Sequence, residues 1–518
     1  MTEATVQEWK PKASLLMITI AVMLATFVEV LNSSIANVAL KTIAGSFSIS
    51  DDESLWIVTM FLIASSILLP ATDWCCNVFG RKKFFLFCVA LFGISAMVCG
   101  LAPSFEIMIL GRICQGLGGG CLLPLSQAIL LESYPKERQS EAMGIFSIGV
   151  TIAPIIGPIL GGWLTTDFAW NYVFFVSLPF CIASFVMISK FIEDPPYMKP
   201  NTSLKFDIAG FILLIIWISS FQIMVDNGQK NGWFDSPYIC KLGITSLISF
   251  ISLIWWELTN KEPLFDLRIF KNWNFTFGTI IITMVFGIAY GSIALLPQML
   301  QGMMGYTSFL SGIAAAPMGV GTLMGAGFCS LTSKLDMRHQ LFMGLVIFTV
   351  GCLMFSTLNL DIAMGNVILP NIVLGLGMTS VIIPVTTIIF SYVKNYEMTN
   401  ASALQNLVKN VGCAIGTSSV GVLVSRYSQI YQSYLVDRLT MLNSTFAQRV
   451  SEMTSTFMGM GSDFVTAQHM AMGNIYKQLM MHSTISAYMN SYRVYALATM
   501  IVIPLVFILR KCNQEKSN

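Results

Sequence analysis

Charge is what this 518-residue sequence has least of: Lys, Arg, Asp and Glu together make up 11% of it. A soluble domain carries about 25%. So little charge cannot coat a surface that faces water, and the chain therefore belongs in lipid. The net charge is only +2, and no basic tail or aromatic–basic interleaving occurs, which leaves out nucleic acid as a partner. Histidine is scarcer still, at three residues (His339, His469, His482), and the twelve cysteines contain no C-x-x-C pair. Nearly all the cysteines fall inside apolar stretches, where cysteine behaves as a small buried apolar residue. Neither a metal site nor a disulfide framework is expected. A Walker lysine motif, a G-x-S-x-G elbow and H-E-x-x-H are missing too. With no catalytic constellation and no cofactor motif, an enzyme is not expected, and any uphill work would draw on an ion gradient.

What is present is apolar length. A bilayer core needs about 20 apolar residues per helix, and such stretches lie near 14–36, 53–73, 84–102, 106–131, 140–163, 170–192, 206–226, 238–257, 273–297, 309–331, 341–358, 362–391, 402–424 and 488–510. This is an all-α integral membrane chain of about fourteen transmembrane helices, with 362–391 readable as one long helix or two pieces. The first stretch exceeds a signal-peptide core and reads as a retained helix. Lys and Arg set the orientation. With the N-terminus cytoplasmic, nineteen of the 29 fall on that side, and the short opposite loops hold only Lys41, Lys230 and Lys241. Both termini are therefore expected in the cytoplasm. Residues 425–487 stand apart as polar and rich in Met, Gln and Ser. Apolar residues at helical spacing within them predict an extracytoplasmic helical hairpin or cap, the other reading being a merely solvated connection.

Residues 111–162 organise the rest. Gly149, Ala153, Gly157 and Gly161 recur every four residues, with Pro154, Pro158 and Gly162 beside them. That spacing puts the small residues on one helix face, where a neighbouring backbone approaches closely. Gly116–Gly120, Gly321–Gly325 and Gly412–Gly416 are further packing pairs. Glu29, Arg112 and Lys409 are the clearest charges inside the spans. Each costs about 2.5–3.5 kcal/mol at mid-membrane, so each should face a polar cavity or a partner. Glu29, Asn32 and Asn37 share one polar stripe, and a carboxylate in a partly dry cavity can take up and release a proton near neutral pH. Arg112 stays charged and so tunes rather than carries. For all three charges, snorkelling to an interface is the alternative. Gln115, Gln298, Gln301, Gln405 and Asn406 would supply neutral hydrogen bonds to a broad cavity shared with Asn32, Asn37 and Lys409.

Several stretches resemble the major facilitator superfamily, and within it the fourteen-span drug:proton antiporters of the EmrB type. Ala153-Pro154-x-x-Gly157-Pro158-x-x-Gly161-Gly162 is similar to the exporter motif of the fifth span. Arg112-x-x-Gln115-Gly116-x-Gly118 is similar to the fourth-span motif implicated in proton transfer. Asp73 through Asn77, Gly80, Arg81, Lys82 and Lys83 resembles the cytoplasmic gating loop. Further likenesses begin at Val30, at Asp226 and at Asn400.

Three positions depart from the pattern. Asn32 replaces the family aspartate, with Glu29 one turn earlier. Asp73 and Asn77 replace the loop's glycine and aspartate, which predicts a weakened charge latch for Arg81. Lys409 replaces an arginine.

The resemblance implies a short cytoplasmic N-terminus (1–13), a six-helix half at 14–192, two linking helices at 206–257, a second half at 273–510 that includes 425–487, and a tail at 511–518. It also implies proton-coupled efflux of amphipathic drugs by alternating access, with Glu29 and Arg112 in the coupling. A Gram-negative inner membrane and a periplasmic adaptor leading to an outer-membrane channel are implied as well. Rival readings are a carrier of one metabolite, such as a siderophore or fatty acid, and an uncoupled scaffold or sensor.

Overall fold

The computed structural model describes residues 12–135, 138–195, 205–260, 263–358, 364–437, 439–440 and 443–510. Within lipid every backbone N–H and C=O must find a partner inside the chain, and the described regular structure is helical throughout. Among the described residues, thirteen helices are long and apolar enough to cross a membrane, and a bent pair makes a fourteenth. In chain order they are α1 (Leu15–Phe47), α2 (Trp56–Leu68 and Thr72–Phe79), α3 (Arg81–Gly100), α4 (Phe105–Gly120 and Leu122–Ser133), α5 (Gln139–Asp167), α6 (Tyr172–Phe191) and α7 (Ile208–Asn227). They continue as α8 (Pro237–Thr259), α9 (Trp273–Met303), α10 (Phe309–Leu331), α11 (Met337–Phe355), α12 (Ile368–Phe390), α13 (Met398–Val436) and α14 (Phe464–Val502).

The fourteen expected stretches are all there, and their ends differ for local reasons. α2 bends by 57° between its two pieces, around Pro70, which cannot donate to the helix ladder. The stretch expected at 362–391 is one helix over Ile368–Phe390, preceded by a 3-10 turn at Met364–Val367; positions 362 and 363 lie outside the described residues. It is the most enclosed of all, with 83% of its apolar window buried against 22% for α8. α12 therefore sits at the centre and α8 at the rim. Gly80 links α2 to α3 at φ 87°, a left-handed turn that favours glycine.

Most of the described residues in 425–487 are helical, as the spacing predicts. α13 runs on to Val436, α14 begins as early as Phe464, and a helix at Ser444–Gly459 packs on α14. Phe446, Val450 and Ile475 give this hairpin its own small core.

The first six spans pack mainly on one another, the last six likewise, and α7 touches both α2 and α13. Glycine sets the closest crossings. A Cβ on Gly157 or Gly161 would strike α1 at Ser34, Ile35 and Val38, and Gly149 meets Met23. The four-residue stripe on α5 is thus the face that receives α1. Ser34 Oγ donates to the Pro154 carbonyl at 3.0 Å. That carbonyl is the one left without its helical donor because residue 158 is proline. The three packing pairs behave alike: Gly116 and Gly120 meet backbone carbonyls of α2, Gly321 and Gly325 those of α12, and Gly412 and Gly416 those of α9.

Gly416→Leu is expected to destabilise the protein by about 3 kcal/mol or more, because its side chain would displace the Gly287 backbone. Gly421→Leu, on the same helix but near only the Gln229 side chain, should be tolerated. Thermal melting of the two purified variants checks this.

Candidate translocation pathway

A narrow cavity lies between the two groups of spans. Its walls are Gln127 of α4, Met143, Phe146, Ser147 and Val150 of α5, Ile282 and Phe286 of α9, Ile382 and Thr386 of α12, and Gln405, Asn406 and Lys409 of α13. The walls are mostly apolar, with a polar strip at one end. Lys409 donates to Asn406 Oδ1 and sits 5.1 Å from the Phe286 ring centre. Asn406 Nδ2 in turn donates to Gln127 Oε1 at 2.9 Å, an oxygen that also accepts from Ser402 at 3.0 Å. Gln405 Oε1 is buried without a hydrogen-bond partner. Lys409 is 8% exposed, so it does not snorkel.

Glu29 is half-buried on α1, and its Oε2 is enclosed with no hydrogen-bond partner. It packs close to Gly119 of α4, and it attracts Lys409 electrostatically across the seam between the two groups of spans. Tyr290 of α9 lies within electrostatic range of Glu29 and stacks on Phe286 at 6.0 Å.

Arg112 is wholly buried and does not reach an interface. Nε donates to the Ile57 carbonyl at 2.9 Å, and Nη1 donates to Asn32 Oδ1 and Gln115 Oε1 at 2.7 Å each. Asn32 Nδ2 donates to Ser177 Oγ of α6 at 3.0 Å. The Phe61 and Phe174 ring centres stand 4.3 and 5.7 Å from the guanidinium carbon, an attractive arrangement for a desolvated cation. Neutral oxygens and aromatic faces hold this charge, and among the described residues no hydrogen bond joins it to a carboxylate.

At the end that carries Arg81, Lys82 and Lys83, called here the basic end, Arg81 forms a two-pronged pair with Glu132 of α4. Its distances are 2.6 and 2.8 Å, and both side chains are almost fully buried. Arg81 Nη2 also donates to Thr399 Oγ1 of α13 at 3.3 Å. The latch expected to be weakened is therefore intact: a carboxylate from α4 takes the place of one in the loop. Asn77 instead donates to Asp73 at 3.2 Å. The Lys82 backbone N–H donates to Asp194 and its Nζ to the Ser189 carbonyl.

Of the residues expected in the cavity, Gln405, Asn406 and Lys409 line it. Asn32 and Gln115 serve Arg112 in a separate buried cluster. Gln298 and Gln301 lie in the last two turns of α9, and like Asn37 they are exposed and outside the cavity wall. Ala153 is buried against Val30 and Leu31, and Gly162 meets the Phe309 backbone.

The sequence reading missed Glu132, Gln127, Ser402 and Thr399. Glu132 stands one residue past an expected span end, where an acid is ordinary. The other three are neutral polar residues whose partners come from the opposite group of spans.

Comparison with known proteins places these features in context. The Major Facilitator Superfamily model matches residues 22–417. The probable multidrug resistance protein EmrY of Escherichia coli K12 is 35% identical, over 83% of this chain and 84% of that one. The multidrug export protein EmrB of the same strain is 34% identical, over 84% and 86%. The crystal structure of the human organic anion transporter MFSD10 superposes with a TM-score of 0.58 at 11% identity, over 95% of this chain and 98% of that one, which is a likeness of fold.

Breaking a buried ion pair from one side costs about 3–5 kcal/mol, whereas replacing both partners by apolar groups is near neutral. Glu132→Gln should therefore lower the melting temperature of the purified protein strongly. The double variant Arg81→Met/Glu132→Leu should recover most of the loss.

Proposed function

This chain belongs to the Major Facilitator Superfamily, in its EmrB-type branch, and on that footing we propose that it is a proton-coupled exporter of amphipathic drugs that works by alternating access. The halves would be residues 14–192 and 273–510, with 206–257 linking them and both termini in the cytoplasm. The observation that supports this reading is a carboxylate and an ammonium group on opposite sides of the central seam, within electrostatic range but not joined by a hydrogen bond. Glu29 stands on α1 and Lys409 on α13, and Lys409 lines the cavity.

Protonation of Glu29 removes that attraction, and ionisation restores it. A change of charge in the first half is thereby felt by the second half at the place where a substrate would lie. The basic end is closed by contacts that a rocking motion can break: Arg81 to Thr399, and Ser402 and Asn406 to Gln127. The Arg81–Glu132 pair lies within the first half and can persist through the cycle. An apolar wall with one ammonium group and a few amides suits compounds of mixed character. A membrane potential of 100 mV supplies about 2.3 kcal/mol for each charge moved.

The localisation that goes with this reading is a Gram-negative inner membrane. The hairpin formed by the ends of α13 and α14 with Ser444–Gly459 would face a periplasmic adaptor of a tripartite pump.

Reconstitution in liposomes tests the coupling. Lipophilic cations and weak acids should release or take up protons on addition to the parent protein, and efflux should quicken as the receiving side is made more acidic. Glu29→Gln should insert normally, bind substrate, and lose at least about tenfold of its efflux together with the pH dependence. An unchanged pH profile in that variant would remove Glu29 as the carrier.

A further inference from the structure

The two linking helices meet in a buried acidic contact that lies outside the cavity wall. Asp207 caps the start of α7 and Glu257 stands in the last turn of α8, and the two are only 9% and 3% exposed. Asp207 is fully served. Its Oδ1 accepts from the Gly210 N–H and from Trp256 Nε1, each at 3.0 Å. Its Oδ2 accepts from Trp256 Nε1 and from Asn260 Nδ2, each at 2.9 Å. Glu257 is served on one side only. Oε2 accepts from the Phe265 N–H at 3.4 Å, whereas Oε1 is enclosed with no hydrogen-bond partner.

The unmatched oxygen lies beside its neighbour. A Cβ placed on Gly210 would meet Glu257 Oε1 at 2.5 Å and Asp207 Oδ2 at 2.7 Å, so the two oxygens converge on one spot. Among the described residues, Asp207 is the charged side chain that acts on Glu257 electrostatically. Lys205, Asp266 and Arg268, the other charges nearby in the chain, are exposed. Two carboxylates that share a buried spot do not readily ionise together. A proton on Glu257 Oε1 removes one of the charges and gives the orphaned oxygen a hydrogen to donate to Asp207 Oδ2.

The same glutamate reaches the closed basic end. Leu264 and Phe265 are buried in the loop that follows α8. Next to them, the Asp266 N–H donates to Asn400 Oδ1 of α13 and the Asp266 carbonyl accepts from Asn400 Nδ2, each at 3.2 Å. Asn400 adjoins Thr399, which takes Arg81 Nη2. A chain of contacts thus runs from the linking helices, through residues 264–266, to a contact that closes the basic end.

We propose that Asp207 and Glu257 form a proton-sharing latch, a protonation site separate from Glu29, through which α7 and α8 sense acidity at the basic end and hold that end shut. With the proton in place, Glu257 keeps both Asp207 and Phe265, and the loop stays seated on Asn400. When pH rises and the proton leaves, the two carboxylates repel, the loop loosens and Asn400 is freed. The hold is thus present at low pH and lost as pH rises. The latch goes beyond the exporter reading, because it acts on the closed end whichever solute passes.

Hydrogen exchange on the full-length protein in nanodiscs tests this with no substrate present. The parent is compared with Glu257→Gln, which keeps the shape and the donor of the protonated acid but cannot ionise. Comparison at equal pH cancels the intrinsic exchange rates. At about pH 6 the two should agree within about twofold over residues 264–268 and 398–401. At about pH 8.5 the parent should exchange at least about fivefold faster over both stretches. Asp207→Asn keeps a helix cap while removing the repelling charge, so it should flatten the rise as well, and it serves if Glu257→Gln does not fold.

Equal exchange in parent and variant at both pH values would overturn the latch. A rise confined to 264–268, with 398–401 unchanged, would overturn its link to the closed end. Neither result bears on proton-coupled export, which is decided by flux and by Glu29→Gln. A parent that exports no compound yet shows the exchange difference would count against the exporter reading and support the latch.

Discussion

One guanidinium ties together four of the first six spans. Arg112 lies in a segment built for lipid, fully enclosed, where an unsatisfied charge could not be kept. Its hydrogen bonds and ring contacts come from α1 through Asn32, from α2 through Ile57 and Phe61, and from α6 through Phe174, while Ser177 braces Asn32 from behind. Hydrogen bonds to a charged group contribute about 1.5–3 kcal/mol each, comparable to the insertion cost of the arginine. Four spans must therefore keep their places for the charge to remain solvated. The glycines on α4 make the same demand in another way, since Gly116 and Gly120 bring α2 into backbone contact on the turns that follow Arg112.

Contacts within each group of spans and contacts between the groups are made of different material. Inside a group, glycines let backbones touch, as Gly412 and Gly416 do with α9 and Gly321 and Gly325 do with α12. Such crossings have no soft atoms to adjust and behave as rigid joints. Between the groups at the basic end, the links are side-chain hydrogen bonds: Arg81 to Thr399, Gln127 to Ser402, and Asn406 to Gln127. These can be traded for water. At the other end α5 meets α10 closely again, with Gly162 against Phe309 and Gly312 against Ile159. The seam is glycine-packed at one end and hydrogen-bonded at the other, so parting the first separates touching backbones whereas parting the second only trades side-chain hydrogen bonds for water.

Most of this architecture was legible in the sequence because lipid imposes a strict code. A span must be long and apolar, and its rare charges stand out, so Glu29, Arg112 and Lys409 could be picked from 518 residues. The small-residue stripe of α5 could be read for a similar reason, since only a close backbone neighbour calls for that pattern. Outside the hydrocarbon the code fades. The extensions of α13 to Val436 and of α14 back to Phe464 are polar helices, and their ends carry no apolar boundary to mark them. Pairings were harder still. Nothing local distinguishes Glu132 from any acid at a span end, and Gln298 and Gln301 resemble cavity residues until their helix is seen to be ending there.

The exchange of an acid for Asn32 also changes how the coupling can work. With aspartate at that position Arg112 would face a titratable partner, and its surroundings would change with every proton taken or lost. Asparagine offers the same acceptor oxygen at 2.7 Å and adds a donor for Ser177, and it carries no charge at any pH. The Arg112 cluster then becomes a fixed fitting, indifferent to protons. Glu29, one turn earlier on the same helix, is left as the carboxylate that confronts Lys409 across the seam. A cluster that must hold four spans together is a poor place to change charge in each cycle, whereas a lone carboxylate facing the other group of spans is a good one. On the proposed reading the two tasks fall on neighbouring turns of α1.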